Sequence, residues 1–234
     1  MKLAILLYYH SRGANLPPEL VMVIFLVVVG IAIYNFLFSK AAVIRRKLRE
    51  SEGRRISSVK DGEVAKVVGR VVFPGRTLSA PLSKRKCSYF HVLVEVHHGK
   101  GGWQTLIEEE KAGDVVLQDG KYYAVVQTGK VNTFLVADKE YSSGTFNDAS
   151  EVLEKYLGTH GQRSTDFLGF NRSLRYKEGV LEKNEVAAVL GKARWANKWD
   201  SRLNIPAEKV LILEPSDTEP VYMSDAEEAT SAQP

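Results

Sequence analysis

Nineteen consecutive residues, Leu20 to Phe38 (LVMVIFLVVVGIAIYNFLF), carry no charge, and Tyr34 and Asn35 are their polar interruptions. At ~1.5 Å per residue a helix of that length spans just under ~30 Å, the thickness of a bilayer's hydrocarbon core. A helix also satisfies its own backbone, which lipid demands. The run predicts a transmembrane helix over residues 19–39, started by Pro17, Pro18 and Glu19 and ended by a basic stretch from Lys40. A buried core helix is the competing reading, and a charge-free run of this length speaks against it. A cleaved signal peptide would need a shorter apolar region and a small-residue cleavage site, whereas Lys40, Arg45, Arg46 and Lys47 follow. Residues 1–18 read as a short tail whose apolar stretch, Met1 to Tyr9, is too short to span.

Charge is distributed asymmetrically around this run. The formal net charge is +4, which alone would suggest a nucleic-acid partner. Residues 40–60, however, hold eight Lys/Arg against two Glu, and residues 214–234 hold six Asp/Glu and no Lys/Arg. A basic excess beside a membrane segment sets topology and meets anionic lipid, so no nucleic-acid partner is expected. The flank with Lys2 and Arg12 is weaker than the flank with Lys40, Arg45, Arg46, Lys47 and Arg49. The positive-inside rule places the larger, C-terminal part in the cytoplasm. Residues 40–55 are expected as a basic juxtamembrane helix stopped near Gly53, contacting lipid through those five cations or serving only as a topology signal.

From Lys60 the pattern changes to short alternating runs separated by turn residues. Glu63 to Phe73 reads as a strand, bent at Gly69. Ser88 to Val96 and Trp103 to Ile107 flank a glycine-rich turn and read as a hairpin, and Asp114–Leu117 with Tyr122–Gln127 flank Asp119-Gly120 and read as another. Val131–Val136 and Val210–Leu213 read as further strands. One helix has Val152, Leu153, Tyr156 and Leu157 as its stripe, Asp148 or Ser150 as its cap and Gly158 at its end. The expected fold is mainly β, a barrel-like domain over 56–223 with one or two short helices, followed by an acidic, disordered tail over 224–234. An internal echo supports partial duplication: EVAKVVGR at 63–70 is matched by EVAAVLGK at 185–192.

Several of these stretches resemble one family as a set. They are Lys60-Asp61-Gly62-Glu63, Gly69-Arg70-Val71, Leu78 to Ser83 (LSAPLS), Cys87-Ser88-Tyr89-Phe90, Leu117 to Gly120, Arg175 to Glu178, Leu181, Glu185-Val186, Leu190-Gly191 and Val221 to Ser224. Together they are similar to the GIDE, or "beside a membrane", domain of Mulan-type membrane ubiquitin ligases. The resemblance runs over roughly residues 56–229 and rests on Gly69, Leu78, Pro81, Leu82, Cys87, Tyr89, Asp119, Gly120, Glu178, Leu181 and Gly191. It implies a membrane-adjacent β domain. Ligase chemistry does not carry over, because a RING needs about eight Cys/His ligands and the chain has one Cys and five His, with no second apolar span. RING-less copies imply a prokaryotic plasma membrane.

The residues offer little catalytic machinery. Cys87 cannot form an internal disulfide. On a strand Cys87 and His91 sit ~13 Å apart, beyond dyad reach. His91, Glu95 and His97 share a strand face, where Glu95 and His97, ~7 Å apart, could meet one ion but His91 could not easily join; a solvated face is the favoured reading, so no metal and no cofactor is expected. Trp195 and Trp199, with Arg194 and Lys198, would stack on one helix face as an aromatic-basic patch for headgroups or a partner. The leading expectation is a non-catalytic, membrane-anchored interaction or regulatory module for a membrane-associated protein or lipid. A subunit of a transferase complex and an accessory to a membrane protease or transporter are the alternatives.

Overall fold

The computed structural model describes residues 17–37, 39–137, 139–143, 150–165, 171–197 and 202–231. The chain divides into two compact units, 1–43 and 44–234. In the first, helix α1 runs Pro18–Leu37. Proline at the first helical position loses no hydrogen bond, since that N–H would be unpaired in any case. Among the described residues, no helix is long and apolar enough to cross a membrane. The crossing is therefore a reading of the sequence and not an observation of the structure.

Helix α2 runs Lys40–Glu50, and its residues from Ile44 belong to the second unit. Ile44 and Leu48, four apart on one face, pack with Val68, Ala188, Leu190 and Tyr222. The helix ends at Glu50, three residues before the expected Gly53, which lies in the short strand β1 (Gly53–Arg54). Two carbonyls of its last turn are capped by side chains. The Ser51 hydroxyl donates to Lys47 O at 2.8 Å and the Lys66 ammonium to Leu48 O at 2.8 Å.

The second unit is mainly β. Its centre is a closed five-stranded barrel made of β2 (Val64–Val72), β6 (Val116–Asp119), β7 (Tyr122–Val126), β11 (Val186–Ala196) and β12 (Val210–Glu214). Neighbours run β2-β6-β7-β12-β11, and β11 pairs back onto β2. Only the β7–β12 pair within this ring is parallel. This is a five-stranded Greek-key barrel of the OB type, an architecture that hosts unrelated functions and assigns none. Alternate residues point inward: Ala65, Val67 and Val71 meet Ala187, Val189 and Ala193, with Leu117, Ala124, Leu211 and Leu213.

The echoed segments are neighbours. β2 and β11 pair antiparallel with Val67 opposite Val189, so each copy's glycine faces the other copy's alanine: Gly69 opposite Ala187 and Gly191 opposite Ala65. The flanking strands repeat the relation, since Arg70 pairs with Gln118 on β6 and Lys192 with Glu214 on β12. The pairing thus has a local two-fold through Val67 and Val189. At the glycines the next strand comes close. A Cβ on Gly69 would lie 2.9 Å from Gln118 O, and one on Gly191 would lie 3.2 Å from Glu214 O.

Two insertions in the barrel build a second sheet. The first carries β3 (Leu78–Ser79), β4 (Lys86–His97) and β5 (Trp103–Ala112). The second carries β8 (Val131–Phe134), β9 (Lys139–Ser143), helix α3 (Glu151–Thr159) and β10 (Leu174–Glu182). β4 and β10 join them antiparallel, with β5 and β3 along β4 and β9 along β10. Tyr89 and Leu181 of this sheet pack into the barrel's core cluster. Its other side, with Phe90, Val92, Val94 and Val180, is covered by Leu153, Tyr156 and Leu157 of α3. Ser150 caps α3 by accepting from Leu153 N–H at 3.3 Å, while Asp148 lies outside the described residues. The helix runs past Gly158, the expected stop, and the glycine that ends it is Gly161. Gly161 has φ +68°, and Gln162 N–H closes back onto Leu157 O at 2.9 Å.

Residues 224–231, expected as part of a disordered tail, instead form regular structure. β13 (Val221–Ser224) pairs with β11 and β8, and the short helix α4 (Glu227–Thr230) follows. Ala226 and Ala229 are buried. Their small side chains let the segment pack close, so a stretch poor in large apolar residues still joins the core.

Candidate functional site

The residues that carry the family resemblance occupy scaffold positions. The loop from Ala80 to Arg85 is closed by Ala80 N–H donating to Arg85 O at 2.8 Å, with Lys84 at φ 62°. Glu178 on β10, 2% exposed, pins the loop from beneath. Its two carboxylate oxygens accept from Leu82 N–H at 2.8 Å and Ser83 N–H at 2.9 Å. Arg85 bonds Ser83 Oγ and pairs with Glu182 at 3.1 Å. Cys87 is fully buried under this loop. Burial first, then the charges of Glu178 and Glu182, push its thiol up to about 11. At neutral pH it is a protonated packing group. Asp119 accepts from Ile56 N–H at 3.2 Å, and Gly120 turns the β6–β7 hairpin at φ +59°.

Beside this loop, α3 and the sheet enclose a cleft of about 480 Å³. Leu78, Pro81, Phe90 and Val152 supply its apolar lining, and Lys84, Lys111 and Lys155 its cations. Its one carboxylate, Glu109, is engaged. Tyr156 Oη donates to it at 2.8 Å, and His160 Nε2 lies 3.5 Å away. Burial and then the hydrogen bond to Glu109 raise the Tyr156 phenol, which keeps it a donor. The arrangement suits an anionic group with an apolar portion. The sequence named Leu78 and Pro81 but not the lysines, which come from three separated elements and carry no local signal.

A second cleft, about 430 Å³, lies between α2 and the barrel and has Lys66 at its base. Lys66 is 1% exposed. Its ammonium donates to Leu48 O at 2.8 Å and reaches Ala229 O at 3.5 Å, so it bridges α2 and α4. Burial lowers its pKa. On the rim, Lys47 pairs with Glu219 at 2.5 Å. The hydrogen bond to Glu219 raises the Lys47 pKa, and the same bond lowers that of Glu219.

The basic collar is divided in its contacts. Arg45 stacks 4.3 Å over the Phe134 ring and lies 3.7 Å from Glu228, and Lys47 is held by Glu219. Arg49 is exposed and Arg46 half-buried. Lys40 is exposed and belongs to the first unit.

The aromatic-basic patch does not assemble as expected. Trp195 is on strand β11, so Arg194 and Trp195 face opposite sides. Trp195 packs against the barrel core and donates from Nε1 to Val59 O at 2.9 Å, while Arg194 pairs with Glu214 at 3.3 Å. Lys198 and Trp199 lie outside the described residues. His91, Glu95 and His97 do not converge either. Glu95 is held by Arg175 at 2.5 and 3.0 Å, and His97 meets Trp103 edge to face at 5.1 Å between ring centroids. His91 instead lies 3.3 Å from Glu108 on β5.

No family model matches the chain, and neither a curated protein nor a solved structure matches it.

Proposed function

We propose that the chain is a membrane-anchored interaction module: α1 anchors it, and the β domain binds an anionic, partly apolar partner at the cleft beside α3, without catalysis of its own. The observation that carries this reading is α1. Met22, Leu26 and Ile31 are 59%, 60% and 56% exposed on a helix whose sequence is charge-free from Leu20 onward. Exposed large apolar side chains over so long a stretch need a cover, and lipid is the cover that the charge-free run and its basic flank favour. The flanking cations favour a β domain in the cytoplasm. The cleft supports the binding half of the reading through its three lysines over an apolar lining. The resemblance to the GIDE domain agrees with a membrane-adjacent β module and is offered as part of this proposal.

Carbonate washing of membranes that carry the full chain tests the anchor. The chain stays in the pellet, and a Leu26→Arg/Val28→Arg variant moves to the supernatant. Release of the unaltered chain would end the proposal. A photo-crosslinker at Val152 tests the cleft: adducts form in membranes and are lost in Lys111→Glu/Lys155→Glu. Adducts that are indifferent to this charge reversal would place the binding surface elsewhere.

A further inference from the structure

We propose that His91, Glu108 and Glu110 form a binding site for a divalent transition-metal ion of the zinc class, built across the β4–β5 pair. The register places Glu110 directly opposite His91, with Glu108 two residues along on the same face. One ligand atom from each residue lies within 4.8 Å of the other two. Metal–ligand bonds of ~2.0–2.2 Å at tetrahedral angles set neighbouring donors ~3.3–3.5 Å apart. The His91 Nε2 to Glu108 Oε1 distance is already 3.3 Å. Rotation of an exposed glutamate side chain covers the remaining shift.

The surroundings orient the third ligand. The Tyr89 hydroxyl donates to Glu110 Oε2 at 2.6 Å, and the Thr133 hydroxyl lies 3.2 Å from the same oxygen. Tyr89 and Thr133 are both buried, so these hydroxyls hold the carboxylate from the core side, as outer-shell partners do at metal sites. On the other side of β4 the residue opposite His91 is Gly179, so β10 offers no side chain at that position to compete for the imidazole. A cation also relieves the repulsion between two carboxylates on one strand face.

The donor set defines the ion. An imidazole nitrogen with two carboxylates suits zinc, manganese or cobalt better than magnesium or calcium, which take oxygen ligands throughout. Three protein ligands leave a coordination position for water or for a group on a partner.

The test uses the full chain in detergent, stripped with a chelator. Zinc is titrated by calorimetry, and cobalt substitution reports ligand geometry by its visible absorption. The unaltered chain binds one zinc ion, and its unfolding midpoint rises. Glu108→Gln, at an exposed position, and His91→Ala each weaken binding at least tenfold and alter the cobalt spectrum, while His98→Ala leaves both unchanged. The proposal is overturned if the folded, unaltered chain shows no saturable zinc binding. It is also overturned if Glu108→Gln keeps full affinity, or if magnesium or calcium binds more tightly than zinc.

Discussion

Lys66→Met preserves the length and apolar stem of the side chain and removes its ammonium. Two effects then oppose each other. Burial disfavours the charge, which is why the Lys66 pKa lies below its usual 10.5. Against that, a hydrogen bond from a charged donor contributes ~1.5–3 kcal/mol, and stranding a buried carbonyl costs ~1–3 kcal/mol. The Leu48 O contact at 2.8 Å carries most of this, and the Ala229 O contact at 3.5 Å is weak. A cation at the end of α2 adds ~0.3–1 kcal/mol. The hydrogen-bond side wins, and Lys66→Met is expected to lose ~2–3 kcal/mol. Urea unfolding of the full chain in mild detergent, followed by tryptophan fluorescence, measures the loss. Amide exchange should show residues 44–50 and 227–230 opening before the barrel.

The same lysine has a pH signature. Its folded pKa is below the unfolded one, so between the two values the unfolded chain holds a proton that the folded chain has released. Stability therefore rises with pH from the lowered folded pKa up to 10.5 and is flat below that window. Lys66→Met should abolish the alkaline rise. A variant as stable as the parent, with both helices equally protected, would refute the idea that Lys66 clamps them.

Glu178→Gln replaces one of two acceptors with an amide donor that faces a backbone N–H, and should cost ~1–3 kcal/mol, with faster proteolysis of the loop at 80–85 as the direct readout. Gly69→Ala must push its new methyl away from Gln118 O at 2.9 Å and should lose ~1–3 kcal/mol in denaturant melts. Gly191→Ala, whose nearest neighbour would be at 3.2 Å, should lose less, and the reverse order would contradict the packing described. Cys87, buried and with its thiol pushed up to about 11, should react with a thiol reagent at pH 8 only as fast as the protein unfolds. Fast stoichiometric labelling of folded protein would show an open thiol.

The hairpins were legible because turn residues bracket alternating runs: Asp119-Gly120 and the glycines at 99–102 mark them directly. The helix α3 was legible through Ser150 and its apolar stripe, although its stop was misplaced because Gly158 lies inside the last turn and only Gly161 takes positive φ. Trp195 and Trp199 share a helical spacing, yet Trp195 is on a strand, where it packs against the barrel core and bonds Val59 O. Lys66 sits on the outward face of β2 and reads as solvated, and only the placement of α2 and α4 over that face buries it. The cleft lysines come from a loop, a strand and a helix far apart in the sequence, which no local pattern encodes, and the His91–Glu108–Glu110 group depends on the register of the β4–β5 hairpin, which its turn residues alone do not set. The echo at 63–70 and 185–192 was visible, but its meaning, two strands that pair with each other, required the register.

That register also sets an order of events during synthesis. Val67 has to wait for Val189, about 120 residues later, before β2 gains its long partner. At ~5–20 residues per second the delay is roughly 6–24 s. Throughout it a nine-residue, valine-rich strand has an unpaired edge, the kind of surface on which nascent chains aggregate. Until β11 emerges this edge of the barrel is vulnerable, and a holdase that covers residues 64–72 over that interval is expected to raise the yield of folded protein.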